Sequence, residues 1–478
     1  MALKKSILWF KRDLRLSDNP ALVAAAQSGE VLPVYIVEPL SSSEFERGSA
    51  SKIWLYHSLK SLNSTLNNHL NIYTGDPVKI LLDLTQKHQI ETIFWNTCYE
   101  PWSRENEKRL IENLKSQSVS YDFFNGTYLW KPKEIKKNDG TPYKVFSAYK
   151  REAWRLSPRE PLEIPGTLSL IKDTDNQTTV EHLKPDPVPA WSKKITSFWD
   201  FGESAAQKKL KDFTQKGLQN YKKGRDFPDH NNTSCLSPHL HFGEISPHQI
   251  REALKSAKES DTPKEDLHHF FSEITWREFS CYLLYHFNGL PSDNFQSKFN
   301  HFPWEENPAF LKAWQTGMTG IPFVDAGMRE LWQTGYMHNR VRMIVASFLT
   351  KNLLIHWHKG RDHFWDCLVD ADLANNSASW QWVAGCGADA APYFRIFNPV
   401  TQGEKFDPEG NYTRKFVPEL KNLPNKYLFK PWEAPEKILE KSDIVLGKTY
   451  PKPIVDLKKS REKALSAFQF LKNNPLDS

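Results

Sequence analysis

Residues 6–37, SILWFKRDLRLSDNPALVAAAQSGEVLPVYIV, set the fold class of the first part of the chain. SILWF (6–10) is a short apolar run of strand type. Asn19-Pro20 then opens a helix with proline at its first position, and VLPVYIV (31–37) is a second strand. Strand, helix, strand is the sequence pattern of a parallel βαβ unit. The alternation continues outward: a 3.6-residue periodicity predicts a helix over SKIWLYHSLKSLNSTLNNHL (51–70), then strand NIYTG (71–75) and helix VKILLDLTQKH (78–88). Strand ETIFWN (91–96), helix SRENEKRLIENLKSQ (103–117) and strand VSYDFF (119–124) complete it. Residues 1–130 are thus expected to form an α/β domain, a parallel sheet with helices on both faces. Residues 131–202, rich in Pro, Thr and Asp and without periodicity, are expected to be a linker. From 203 to 478 strand-like alternation disappears, which predicts a large all-α C-terminal domain. There is no GxGxxG or Walker lysine motif and no internal repeat.

At 478 residues the chain is longer than one compact core usually serves. A mean hydropathy of −0.60 describes a globular protein, and no apolar run is long enough to span a bilayer. The start, MALKKSILWFKRDLR, holds too short an apolar stretch for a signal peptide. Cys98, Cys235, Cys281, Cys367 and Cys386 lie far apart with no CxxC pair. That spacing disfavours a disulfide framework, a structural zinc or an iron–sulfur cluster and fits a reducing cytoplasm. A net charge of +6 permits a polyanionic partner without requiring one. Seventeen tryptophans are the compositional oddity.

Four stretches concentrate chemistry. In GRDFPDHNNTSCLSPHLHFGEISP (224–247), Ser237 is a candidate N-cap with Pro238 as first helical residue. This is an ordinary cap, or Thr233, Ser234, Leu236 and Ser237 cradle a pyrophosphate. In FFSEITWREFSCYLLYHF (270–287), Glu273, Trp276 and Arg277 share a helical face. They make either a surface ion pair or a binding face on which Trp276 stacks a base. In YMHNRVRMIVASFL (336–349), Val341, Ile344, Val345 and Phe348 form a packing arc. Asn339 and Met343 lie one turn apart on a polar arc flanked by Arg340 on one side and His338 and Arg342 on the other. A methionine there suits a cleft, and a solvated face with snorkelling arginines is the alternative. In CLVDADLANNSASWQWVAGCGADAAPYFRIFNP (367–399), Asp370 and Asp372 are candidate partners for buried arginines such as Arg342. Trp380 and Trp382 lie roughly 200° apart on a helix and face different surroundings.

These motifs, with WFKRDLRLSDNPAL (9–22), resemble the DNA photolyase/cryptochrome family over essentially the whole chain. The segments after 300 are most similar to the bacterial branch related to plant cryptochromes. The resemblance implies an N-terminal α/β antenna domain and a helical domain that binds FAD without a Rossmann motif. It places FAD contacts at Tyr221, Thr233, Ser234, Leu236, Ser237, Arg277, Asn339, Arg342, Asp370, Asp372 and Asn376. Arg342 and Asp370 would form the charge pair beside the isoalloxazine and Asn376 would face its N5, where plant cryptochromes carry Asp. Lesion contacts fall on Arg225, Glu273, Trp276, Asn339, Arg340, Met343 and Trp382, a set similar to the pocket for a cyclobutane pyrimidine dimer. Relatives that repair the (6-4) photoproduct carry His where Met343 stands. Trp380, Trp357 and Trp304 match the tryptophan chain that reduces the photoexcited flavin.

The implied activity is deoxyribodipyrimidine photolyase, a carbon–carbon lyase acting on UV-damaged DNA by electron transfer from excited reduced FAD to the flipped dimer. In this scheme Glu273 hydrogen-bonds the pyrimidine edge. A cryptochrome-type blue-light receptor signalling through a protein partner is the alternative, and the absence of a long extension after about residue 450 counts against it. A second chromophore is expected, methenyltetrahydrofolate rather than a deazaflavin, with Glu100 in a loop open to it. A monomer, not membrane-bound, located in the cytoplasm and at the nucleoid when on DNA, completes the expectation. Phe270 stands where several relatives have Trp. His338 and Cys386 receive no role.

Overall fold

The computed structural model describes residues 4–39, 45–185, 191–258, 262–390 and 394–473. Its chain divides into two compact units. The first comprises Met1–Gln219 and Ser234–Asn288; the second comprises Asn220–Thr233 and Gly289–Ser478.

The first unit is built on a parallel sheet of β1 (Lys4–Phe10), β2 (Gly29–Val37), β3 (Asn71–Thr74), β4 (Thr92–Asn96) and β5 (Ser120–Phe124), in the order β3-β2-β1-β4-β5. A short β6 (Ser169–Leu170) also pairs in parallel with β2, matching Glu30 with Ser169 and Val31 with Leu170. The helices α1 (Pro20–Ser28), α2 (Ser49–Thr65), α3 (Pro77–His88) and α4 (Pro101–Gln117) lie between the strands in the chain. Asn19 caps α1 by accepting from Leu22 N at 3.2 Å, and Pro20 follows it, as the sequence predicts. Asp76 does the same for α3, accepting from Val78 N at 2.9 Å. The consecutive residues Ile7 and Leu8 are both fully buried, so both faces of β1 are covered. Ile7 and Trp9 pack with Leu81, Leu84, Leu110 and Leu114 from α3 and α4.

Two expectations change. Helix α2 stops at Thr65 rather than at residue 70, because Asn67 and Asn68 adopt positive φ and turn the chain back into β3. The segment 131–202 is also more structured than its composition suggests. It holds the helix Phe146–Ala153, with Phe146 and Tyr149 buried, and it supplies β6. Few apolar anchors suffice there because the backbone of β6 joins an existing sheet.

The strand order reverses between β1 and β4, the place where doubly wound sheets bind ligands. Here that end carries a buried polar network: Lys11 pairs with Glu107 at 2.5 Å, and Asn96 donates to Asp13 at 2.6 Å and to Asn19 at 2.7 Å. The second unit is helical, and its largest core cluster gathers Trp314, Met337, Val341, Ile344, Val345, Phe348, Trp357 and Trp380. No described helix is long and apolar enough to cross a membrane.

Candidate functional site

In the first unit, Ser234 Oγ accepts from Leu236 N at 3.4 Å, and Cys235 adopts φ 50°. The helix that follows runs Ser237–Phe242, with Leu236 at the N-cap position. This corrects the expected cap by one residue: Ser237 is the first helical residue and remains exposed, while Leu236 is buried. The helix ends at Gly243, φ 70°, where a side chain would collide with the Arg12 carbonyl at 2.0 Å. The loop after β1 therefore braces this segment. Leu14 N donates to Phe242 O at 3.1 Å, Arg15 Nη1 to Gly243 O at 3.0 Å and Arg12 Nε to His241 O at 2.9 Å. Glu100 is buried and ion-paired with Arg12, which removes it from the open loop that the sequence suggested.

The helix Lys264–His286 carries Glu273, Trp276 and Arg277, all partly buried. The surface Glu273–Arg277 pair does not form. Arg277 donates to Thr127 O at 3.1 Å and Leu240 O at 3.4 Å and lies 4.2 Å over the Tyr128 ring. Glu273 approaches His269 at 3.9 Å. Trp276 stacks one face on Phe146, with centroids 3.6 Å apart and planes 9° apart. Phe270 is buried against Phe213 at 4.6 Å. Glu278 is fully enclosed and accepts from Leu129 N at 2.9 Å; burial drives its pKa up to about 8 despite the nearby Arg277.

The second unit holds the other residues. Tyr221 is buried with Arg225 over its ring at 5.6 Å, and Thr233 is partly exposed. The helix Asn339–Ser347 starts at His338, whose Nδ1 accepts from Arg340 N at 3.2 Å. The residue left without a role by the sequence is thus the N-cap. Its Nε2 is buried without a hydrogen-bond partner, and burial, with Arg225, Arg340 and Arg342 adding to it, drives its pKa down to about 3. Val341, Ile344 and Val345 pack inward as the helical wheel predicts; Phe348 does so from a π turn, Phe348–Asn352, that ends the helix early.

Arg342 donates from Nε to Met337 O at 2.7 Å and from Nη2 to both Asp370 oxygens, at 2.8 and 3.1 Å. Burial opposes its charge, but Asp370, with Tyr336 and Glu330 adding to it, outweighs this and its pKa ends above the ordinary value. Asp370 is nine-tenths buried, so the pair forms the charge centre predicted between 336–349 and 367–399. Asp372 caps the helix Leu373–Ala384, accepting from Asn375 N at 2.9 Å. On that helix Asn376 donates to Arg361 O at 3.0 Å. Trp380 is buried, whereas Trp382 is partly exposed with no ring stacked on it among the described residues.

Trp380 meets Phe364 at 5.0 Å and touches the neighbouring helix at Gly360, where a Cβ would strike its ring at 2.1 Å. Trp357 is buried on that same helix and donates to Asn294 Oδ1 at 2.9 Å. His356 lies between Trp357 and Trp304, at 5.8 and 5.0 Å from their rings. Asn339 is exposed, and Arg340 and Met343 are partly so, with Met343 Sδ 3.9 Å from Arg340 Nη1. Cys386 is fully buried, 3.7 Å from Gln381 Oε1, and burial pushes its thiol up to about 12, an inert structural cysteine.

Sequence reading missed Asp226, Glu330 and Tyr412. Asp226 accepts from Arg340 Nη2 at 2.6 Å across 114 positions of sequence. Glu330 accepts from Tyr412 OH at 2.7 Å and from His338 N at 3.2 Å; burial raises its pKa to about 7. Asp226 lies within the stretch 224–247 but carries no local sign of its distant partner, and Glu330 and Tyr412 lie outside the four stretches. Of the family signature DAAPYFRIFNP, residues 391–393 lie outside the described residues.

The family model for the FAD binding domain of DNA photolyase matches residues 270–470, and that for DNA photolyase matches 6–165. A deoxyribodipyrimidine photo-lyase of Agrobacterium fabrum is 46% identical over 99% of each chain. Cryptochrome-2 of Arabidopsis thaliana is 36% identical over 96% of this chain and 78% of its own. Among solved structures, a bacterial class III photolyase from Agrobacterium tumefaciens superposes with a TM-score of 0.95 at 45% identity, covering 99% of this chain and 98% of that one.

Proposed function

Since this chain belongs to the photolyase/cryptochrome family, in its class III branch, we propose that it is a deoxyribodipyrimidine photo-lyase that uses light to split cyclobutane pyrimidine dimers in DNA. The reading rests on one helix. Asn339–Ser347 holds Arg342 against the enclosed carboxylate of Asp370 and leaves Arg340 and Met343 partly exposed. A cation fixed on an enclosed carboxylate suits the charge of a reduced flavin ring, and a partly exposed Arg with an adaptable thioether suits a phosphate and an apolar base face.

FAD is the cofactor that the matched domain implies, and when bound it would supply the light-driven donation of one electron to the lesion. The residues that the resemblance would assign to hold it are Tyr221, Thr233, Ser234, Leu236, Ser237, Arg277, Asn339, Arg342, Asp370, Asp372 and Asn376. Hydroxyls and N–H groups of 233–237 match the hydrogen-bonding needs of a pyrophosphate. Arg342 and Asp370, each fixing the other, set the local charge. Asn376, tied to the Arg361 carbonyl, presents a neutral amide where an Asp would add charge. On the lesion side, Trp276 with one face already stacked and Trp382 with none offer aromatic planes to a flipped dimer, while Glu273 accepts from its pyrimidine edge. Trp380, Trp357 and Trp304 form the reducing chain, with His356 between the last two. The antenna is methenyltetrahydrofolate, and the protein acts as a cytoplasmic monomer that reaches the nucleoid through DNA.

A blue-light receptor role is the second reading, favoured by the cryptochrome match over nearly the whole chain. One assay separates the two. An oligonucleotide carrying a thymine dimer is illuminated with the reduced, FAD-loaded protein, and restored thymines are counted by chromatography. Light-dependent restoration is expected; none above the dark control, with flavin present, overturns the repair reading.

A further inference from the structure

Arg340, a residue that the proposed function assigns to DNA, already has an anion. Its Nη2 donates to Asp226 Oδ1 at 2.6 Å, and the two side chains keep 21% and 33% of their exposure. The guanidinium carbon also lies over the Phe406 ring, 4.5 Å from its centre, a second contact that holds the group. Its Nε is buried with no hydrogen-bond partner, and so is Nε2 of His338 at the start of the same helix. The charges that act on His338 are Arg225, Arg340 and Arg342 against Asp226. Arg342 has its own carboxylate in Asp370. Asp226 is therefore the carboxylate that faces Arg340, beside two donors left unmet.

We infer that Asp226 is an internal stand-in for a DNA phosphate, holding Arg340 in place in the free protein and setting how tightly the protein binds DNA. This rests on the lesion-binding reading above. A carboxylate and a phosphodiester offer the same planar fork of acceptors to a guanidinium, so the two compete for one donor set. The pair is partly exposed and holds one carboxylate oxygen only, which makes it more exchangeable than the Arg342–Asp370 pair, whose enclosed carboxylate is held by both oxygens. With Asp226 ionised, Arg340 brings no net charge to the DNA backbone. Without it, one more phosphate is neutralised and the salt dependence steepens by about 0.9 in the logarithmic slope. Because the gain applies to any backbone, undamaged duplex benefits too, and the carboxylate serves to keep the protein off undamaged DNA.

The test is dark fluorescence anisotropy of the FAD-loaded protein with a labelled duplex, with or without one thymine dimer, across a salt series. Asp226→Asn is expected to bind both duplexes roughly three- to tenfold more tightly at moderate salt, with the steeper slope. In an Arg340→Gln background the same change is expected to alter affinity less than twofold. Unchanged or weaker binding by Asp226→Asn overturns the inference, as does an equal gain in the Arg340→Gln background. Flavin content and melting temperature identify a misfolded variant, and Asp226→Ser then supplies the same arms. A wild type that binds neither duplex overturns the repair reading together with this one.

Discussion

At the scale of single residues, Arg342 and Met343 are neighbours in sequence with opposite surroundings. Arg342 is fixed by Met337 O and both Asp370 oxygens, whereas Met343 is partly exposed, its Sδ 3.9 Å from Arg340 Nη1. Arg342→Ala strands Asp370 as a buried carboxylate without its partner, a change that is strongly destabilising when a buried pair is broken. The expected outcome is loss of FAD, read as flavin absorbance after gel filtration. Met343→His is expected to keep FAD and to weaken dimer repair, read in the illuminated oligonucleotide assay. The reverse pattern would put the two side chains on the wrong ligands. Much of this was legible in the sequence, because the wheel of 336–349 already separates an apolar arc from a polar one. Asp226 was not, because an ion pair between positions 226 and 340 leaves no local periodicity.

At the scale of elements, the start of the helix Asn339–Ser347 couples two buried groups with opposite pH behaviour. His338 is held down to about 3, so between there and its unfolded value near 6.5 the unfolded chain binds more protons, and stability falls as pH falls through that window. Glu330 is held up to about 7, so from its unfolded value near 4.5 upward the folded state binds more protons, and stability falls as pH rises to about 7. Melting temperatures against pH should separate them. Glu330→Gln, which keeps an acceptor for Tyr412, is expected to gain on the wild type progressively from pH 4.5 to 7 and then hold constant. His338→Asn, which keeps a capping acceptor, is expected to gain progressively below pH 6.5. Parallel curves for wild type and both variants would refute these protonation states. His338→Ala removes the cap and is expected to cost about 1 kcal/mol above pH 6.5, where the imidazole is neutral in both states.

At the scale of the whole molecule, the first compact unit takes chain from either side of the boundary that composition draws near residue 202. The first unit claims Ser234–Asn288. Glu278 accepts from Leu129 N, Tyr282 OH receives Tyr143 N at 2.9 Å and donates to Ile135 O at 3.0 Å, and Cys281 packs with Tyr99 and Tyr128. A fragment ending at 202 leaves these aromatic and backbone groups bare. It is expected to aggregate or to lose its near-ultraviolet dichroism, whereas a fragment ending at 288 should elute as a folded monomer. What the sequence by itself determined was local. It set the alternation of strand and helix, the helix start at Asn19-Pro20, the inward arc of 341–348 and the motif residues that mark the family. These depend on neighbours within a turn or two of chain, which periodicity and side-chain chemistry report. Only the tertiary structure decided which carboxylate holds Arg340, that Arg277 braces Thr127 and Leu240 rather than Glu273, and that His338 caps a helix beside Glu330. Those choices are made by burial, where a charge or donor must find a partner however far away in sequence that partner lies.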